Sequence, residues 1–306
     1  MDDKEFNEKY EKLKNSKFKQ QKLNGWRPIP TISCITIIYI SFGLFFLIFG
    51  VIIVVFTSQL KEIKYRYDEY CSRNNNNVVN GKIECTFIFT VHEKMSKPIM
   101  IYYQIDDFSQ NHRVYMDSKS EKQLKGEQVS KEDLEKSGEC EHRLLKKDFG
   151  SGSNPGNPDE LQNPCGLIAY SYLMVDIFTD WKLNGNSLTI KEEEIAFKSD
   201  MKKYGDIQDK EHFLIWLRPS PFSNPRKLWG KIEEDDIEKD SSLSVKITSS
   251  IEYFGYKKKY IILSTRNVFG GKNLFLGVCY IIFGIFCLMA SVIFIICFDA
   301  FHKKNK

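Results

Sequence analysis

Cys165 is the residue whose surroundings most invite chemistry. It lies in NPCGLIAYSYLMVDIF (163–178), where a thiol beside a glycine opens an apolar run. A thiol at the start of a helix becomes a nucleophile when a base and an orienting acid stand beside it. His112 and Asp176 have the right side chains for those roles. The same cysteine serves equally as half of a disulfide, with the apolar run as core. Other constellations fail: HExxH and paired CxxC are absent, and the five histidines are scattered. GSGSNPG (150–156) has the glycines of a phosphate loop, but the charged RLLKKD (143–148) precedes it where a strand is required. The choice between nucleophile and disulfide therefore turns on the compartment that Cys165 occupies.

Two segments set that compartment. Residues 28–60 and 273–298 contain no charged side chain, although 27% of the chain is charged. The apolar stretches within them, 32–56 and 274–298, cover 25 residues each, and about 20 apolar residues cross a bilayer as a helix. Neither has the polar stripe of a soluble core helix. The first is too long for a cleavable signal and follows a polar tail, so it reads as a signal anchor. Lys12, Lys14, Lys17, Lys19, Lys22 and Arg27 precede it, and Lys303, Lys304 and Lys306 follow the second. The inner flanks carry only Lys61, Lys64 and Arg66, and Arg266 and Lys272. Positive flanks stay cytosolic. The expected order is a cytosolic N-tail (1–31), a first span (32–56), a luminal or extracellular domain (57–273), a second span (274–298) and a cytosolic C-tail (299–306).

The formal charge of +4 divides as +3 on the N-tail, +2 on the C-tail and −1 on the domain between the spans. Such a balance gives no footprint for nucleic acid, and the basic tails suit an anionic lipid leaflet. Four cysteines, Cys71, Cys85, Cys140 and Cys165, fall on the oxidising side, while Cys34, Cys279, Cys287 and Cys297 fall in or beside the spans. An even number in an oxidising compartment reads as disulfides, with three connectivities open. Local pairing, Cys71–Cys85 and Cys140–Cys165, is the simplest, and each such loop closure stabilises by about 3 kcal/mol in the chain-entropy account. It would staple loops holding the polyasparagine tract 74–77 and the segment 150–158. Cys165 then has no free thiol, and the chain reads as a non-enzyme without cofactor or metal.

The domain between the spans reads as a β-sandwich with helical excursions. Residues 83–91 alternate with a period of two, and 99–105, 213–217, 244–251 and 260–265 are rich in β-branched and aromatic residues. The charged stretches 118–139 and 233–240 read as solvated loops or surface helix. The spans carry a seam of small residues at seven-residue steps: Thr36, Gly43, Gly50 and Thr57 in the first, Gly277, Gly284 and Ser291 in the second. A seven-residue step returns to nearly the same helix face, so each seam admits a second helix at close range. Two uses are open, packing on each other or docking a partner's helices.

Several unlinked motifs in order then resemble one family, the cell-division-control-50/ligand-effect-modulator family. FKQQKLNGWRPIPT (18–31), with Trp26 and Pro28, resembles its pre-membrane signature. YYQIDDFSQNHRVYMDSKSEKQLKG (102–126), with Gln110, Asn111, His112, Arg113 and Tyr115, is similar to its ectodomain stretch. PCGLIA (164–169), with Pro164, Cys165 and Gly166, resembles its hallmark, and ILSTRNVFGGKNLFLGVCYIIFG (262–284), with Gly270, Gly271 and Asn273, its approach to the second span. The resemblance implies that the hallmark cysteine is a disulfide partner. Departures occur: Tyr170 and Val175-Asp176-Ile177 stand where the family has Asn and a glycosylation site, PSPFSNP (219–225) replaces another family segment, and one cysteine pair is missing. No Asn-x-Ser/Thr sequon occurs in the chain.

What the resemblance implies is an accessory (β) subunit of a type-IV P-type ATPase lipid flippase, which moves phospholipid to the cytosolic leaflet. Such subunits assist the pump's folding, its exit from the endoplasmic reticulum and its cycle. The partner is the ATPase α-subunit, or an ATPase–guanylate cyclase fusion of the kind found in some protists, with membrane lipids around it. The complex would reside in the endoplasmic reticulum, Golgi, endosome or plasma membrane. The alternative of the same topology, a two-span ligand-gated channel subunit, calls for polar pore-lining residues and more cysteines.

Overall fold

The computed structural model describes residues 3–22, 31–73, 78–79, 82–141, 143–149, 157–205, 207, 210–250, 257–267 and 270–304. Trp26 and Pro28, the tracts 74–77 and 150–156, and residue 251 lie outside them. The chain divides into one unit of residues 1–52 and 275–306 and another of residues 53–274.

The first unit is helical. A polar helix α1 (Asp3–Asn15) precedes α2 (Ile32–Ser58), and α10 (Phe275–Lys304) ends the chain. Both apolar helices are long and hydrophobic enough to cross a membrane. They run antiparallel and meet along their length, with Tyr39 against Phe294 at 5.5 Å and Phe46 stacked on Tyr280 at 5.5 Å. Helix α10 continues six residues past the charge-free run.

The second unit holds strands β1 (Glu62–Arg66), β2 (Val78–Val79), β3 (Lys82–Val91), β4 (Ile99–Ile105), β5 (Ile177–Leu183), β6 (Asn186–Ser187), β7 (Arg226–Ile232), β8 (Ser241–Ser250) and β9 (Lys259–Thr265). Its short helices are α3 (Asp68–Arg73), α4 (Arg113–Asp117), α5 (Glu121–Leu124), α6 (Lys131–Ser137), α7 (Leu167–Leu173), α8 (Lys198–Lys203) and α9 (Lys210–Leu217). All pairings are antiparallel, in two sheets of order β1-β9-β4-β7 and β2-β3-β8-β5-β6. The chain passes between the sheets repeatedly, so neither forms from one continuous segment. Alternation in β3 sends Cys85, Phe87, Phe89 and Val91 inward, as a half-buried strand requires. Aromatic rings join the two sheets: Tyr65 meets Phe89 at 4.4 Å, and Phe178 meets Trp229 edge-on at 5.0 Å. Pairing of β1 with β9 leaves both chain ends of the unit side by side.

One expected strand is a helix. Residues 213–217 belong to α9, whose Phe213, Leu214, Trp216 and Leu217 are buried with helical spacing. A short apolar run fits either period, and the contact that decides comes from outside it. The Glu211 carboxylate, in the first turn of α9, accepts backbone N–H groups of Glu194, Ile195 and Ala196 at 3.0, 2.7 and 2.9 Å. Burial pushes this carboxyl up, but the three donors outweigh it and hold it below the usual range. The stretch 118–139 also departs from a purely solvated loop, because Ser118, Ser120, Gln123, Leu124 and Leu134 are buried.

Two buried lysines carry predictions. Lys259 pairs with Asp176 at 2.9 Å, and Tyr67 donates to the same carboxylate at 2.7 Å. All three side chains are out of solvent. Lys259→Met strands the carboxylate and is expected to cost about 3–5 kcal/mol, whereas Asp176→Leu combined with it restores most of the loss. Thermal unfolding followed by tryptophan fluorescence measures both, and equal losses would refute the coupling. Lys227 instead donates to the Ile215 carbonyl at 3.3 Å and to that of Arg218, and burial pushes its pKa down to about 7. Its folded-state value lies below the unfolded one, so its contribution is lowest below pH 7 and rises as the pH climbs above it. The slope is at most ~1.4 kcal/mol per pH unit. Lys227→Met should flatten this rise between pH 7 and 9.5; an unchanged slope would rule it out.

Candidate functional site

Two places gather the residues singled out in the sequence, and the first is the helix seam. A Cβ added at Gly43 would come within 2.7 Å of Leu288, one at Gly50 within 2.8 Å of Ile281, and one at Gly284 within 2.9 Å of Leu47. Gly277 contributes its carbonyl, 3.0 Å from the Gly50 position. Thr36 and Ser291 are buried and turn their hydroxyls back to the Ile32 and Leu288 carbonyls. Absent side chains let the backbones approach, and dispersion contacts replace them. The two seams thus face each other, and large side chains such as Phe42, Phe45, Ile282 and Phe286 point outward.

The second place is built around 162–178. Cys140 is bonded to Cys165 and Cys71 to Cys85, with Cα–Cα distances of 5.6 and 5.5 Å. Cys165 is buried with Leu134 in a small core of its own. Its backbone N–H donates to Gln123 Oε1 at 3.0 Å, and the next residues dock on the same segment, Leu167 N–H donating to Ser118 Oγ at 2.9 Å. Gly166 has φ +99°, and a Cβ there would run into the Ser118 carbonyl. Pro164 precedes them through a cis peptide bond. Further on, buried Ser171 takes the indole N–H of Trp216 at 3.0 Å and shares a hydrogen bond with Tyr115 at 2.7 Å. Gln110 accepts from Ser220 N–H at 3.0 Å.

No nucleophilic triad assembles. Cys165 is in a disulfide, Asp176 is paired with Lys259 and Tyr67, and His112 is exposed at the start of α4. Asn111 and Arg113 are exposed too, Arg113 facing Asp117 at 3.5 Å. Among the described residues no cluster of three metal-ligating side chains occurs. A cavity of about 540 Å³ is lined by residues including Trp181, Glu192, His212 and Trp229. There Glu192 accepts from Trp229 Nε1 and faces His212 Nε2, both at 3.2 Å. Gly270 (φ +106°) and Asn267 exchange backbone hydrogen bonds at 3.1 Å in the segment before Gly271 and Asn273. Ser118, Gln123, Ser171 and Trp216, which with 162–178 form a hub of hydrogen bonds, have ordinary side chains for a loop or core. Only their partners give them away.

Gly166 and Gly270, both at positive φ, separate strain from collision. Gly270→Ala pays strain alone, since nothing lies within 4 Å of its Cβ position, about 1–3 kcal/mol. Gly166→Ala adds the Ser118 collision and should destabilise more, so that added dithiothreitol frees the Cys140 and Cys165 thiols at a lower concentration than in the wild type. Thermal shift with thiol counting checks the order; equal effects would overturn it.

The sequence model of the LEM3 (ligand-effect modulator 3)/CDC50 family matches residues 53–207 and 202–304. "Putative ALA-interacting subunit 2" of Arabidopsis thaliana is 30% identical over 94% of this chain and 87% of its own length. "Cell cycle control protein 50A" of Mus musculus is 27% identical over 92% and 88%. "Phospholipid-transporting ATPase accessory subunit LEM3" of Saccharomyces cerevisiae is 24% identical over 92% and 82%. With matches spanning the hub, β9 and the second apolar helix, the chain belongs to the LEM3 (ligand-effect modulator 3)/CDC50 family.

Proposed function

We propose that this chain is the non-catalytic β-subunit of a type-IV P-type ATPase that moves phospholipid to the cytosolic leaflet. The observation that carries the reading is similarity over more than nine-tenths of the chain to proteins named as accessory subunits of phospholipid-transporting ATPases. Its architecture supports the reading: two apolar helices and a disulfide-stapled pair of sheets. Residues 1–31 and 299–306 are cytosolic, 32–56 and 274–298 span the membrane, and 57–273 form a luminal or extracellular β-sandwich-like domain. The domain's role is recognition and support of the pump during folding, traffic and turnover. Asn111, His112 and Arg113 are exposed and available for contact, whereas Pro164, Cys165 and Gly166 hold the domain in shape.

Purification of the full chain from its native membranes in mild detergent, with mass spectrometry of what remains bound, tests this. A large multispanning P-type ATPase, alone or fused to a guanylate cyclase, is expected in stoichiometric amount. Recovery only as a homotrimer without an ATPase at every detergent strength would overturn the reading in favour of a channel subunit.

A further inference from the structure

Four cysteines stand outside the disulfides, and the helix pair sorts them. Cys287 is buried at the contact between α2 and α10, and Cys279 is half-buried, whereas Cys34 and Cys297 are exposed. The register that sets Gly43 beside Leu288 and Gly50 beside Ile281 brings the two exposed thiols to one level. Cys34 lies nine residues before Gly43, and Cys297 nine residues after Leu288. Extended along two antiparallel helices, both steps reach the same end of the pair, about 13 Å beyond the Gly43–Leu288 contact. In sequence, both cysteines lie close to the basic flanks of their runs. Lys22 and Arg27 precede Cys34, and Lys303, Lys304 and Lys306 follow Cys297, while both cysteines remain inside the charge-free runs.

We propose that Cys34 and Cys297 are S-acylated from a long-chain acyl-CoA, one chain on each helix at the cytosolic boundary of the bilayer. The inference rests on the cytosolic placement of both tails. In the transfer, the cysteine sulfur attacks the thioester carbonyl carbon and a new carbon–sulfur bond forms. The bond to CoA breaks, and the proton lost by the cysteine is taken up by the departing CoA thiolate. Nothing is oxidised or reduced. The chemistry fits the place: an exposed thiol in a charge-free run that basic residues flank in sequence meets an amphiphilic donor whose phosphates are anionic and whose tail lies in the leaflet. Dual acylation adds hydrocarbon beside both helices at one depth, changing how a pair this long matches bilayers of different thickness. Cys287 and Cys279 act as internal controls, one enclosed by the partner helix and the other towards the opposite end.

The test uses the full chain in its native membranes. Free thiols are blocked, thioesters are cleaved with neutral hydroxylamine, and the thiols released are tagged with a 5-kDa maleimide. The wild type is expected to carry two hydroxylamine-dependent tags, Cys34→Ser and Cys297→Ser one each, and the double variant none. Absence of tags on the wild type, or tags that persist in the double variant, would overturn the inference. Protease added to sealed vesicles with the cytosolic face outward separates the causes. If the lysine-rich N-tail is removed and no tag is seen, acylation alone is wrong. If the tail is protected, the topology falls and takes this inference with it.

Discussion

The buried pair of Asp176 and Lys259 is the constraint on which the double-sheet domain depends. Removing two charges from water costs several kcal/mol each unless geometry returns it. Here the carboxylate takes an ammonium at 2.9 Å and a phenol at 2.7 Å, and Lys259 also reaches Ser249 Oγ at 2.9 Å. Burial first, and then the Asp176 charge, push the Tyr67 phenol well above its usual range, so it stays a donor. The three residues come from the end of β1, the start of β9 and the loop before β5. A slip of β9 by one residue would turn Lys259 to the other face and leave the carboxylate alone. The pair therefore fixes the register at which the first and last strands of the domain lie together.

From that point one continuous segment reaches most of the domain. Along 162–178, Gln162 receives Gln123, Cys165 binds Cys140, Gly166 lies on Ser118, Ser171 joins Tyr115 to Trp216, Asp176 holds Lys259, and Phe178 meets Trp229. Trp216 is stacked between Phe108 and Tyr103, with interplanar angles of 9° and 16°. The segment that most resembled a catalytic motif is thus a clasp. Its polar atoms are used in holding distant loops, which leaves no free nucleophile for chemistry at Cys165.

Legibility in the sequence followed the range of the forces involved. The two apolar helices and the alternation of β3 depend on local pattern, and their residues announce them. Strand β7 does not: Arg226 and Lys227 open it, and only the folded chain shows Arg226 against Glu62 at 3.0 Å and Lys227 buried against the end of α9. The same holds for 213–217, where the carboxylate of Glu211 and a loop 15 residues or more away decide for helix. Asn111, His112 and Arg113 drew notice through resemblance to a motif, but the buried anchors of that stretch are its neighbours Gln110 and Tyr115. Burial depends on partners distant in the chain, and no single-sequence period reports it.

The helix seam narrows what a partner can use. Small residues are what allow a third helix to approach closely in lipid, and those of α2 and α10 are already consumed by each other at Gly43, Gly50 and Gly284. The outward faces offer Phe42, Phe45, Ile48 and Phe49 on one helix and Ile282, Phe286, Ile293 and Ile296 on the other. Neither run contains a charged residue, so no ion pair is available there to select a partner. A third helix docking on these faces gains dispersion contacts that lipid tails also provide, so the difference between partner and lipid is one of shape. Selection of a partner by charge therefore falls outside the two apolar runs.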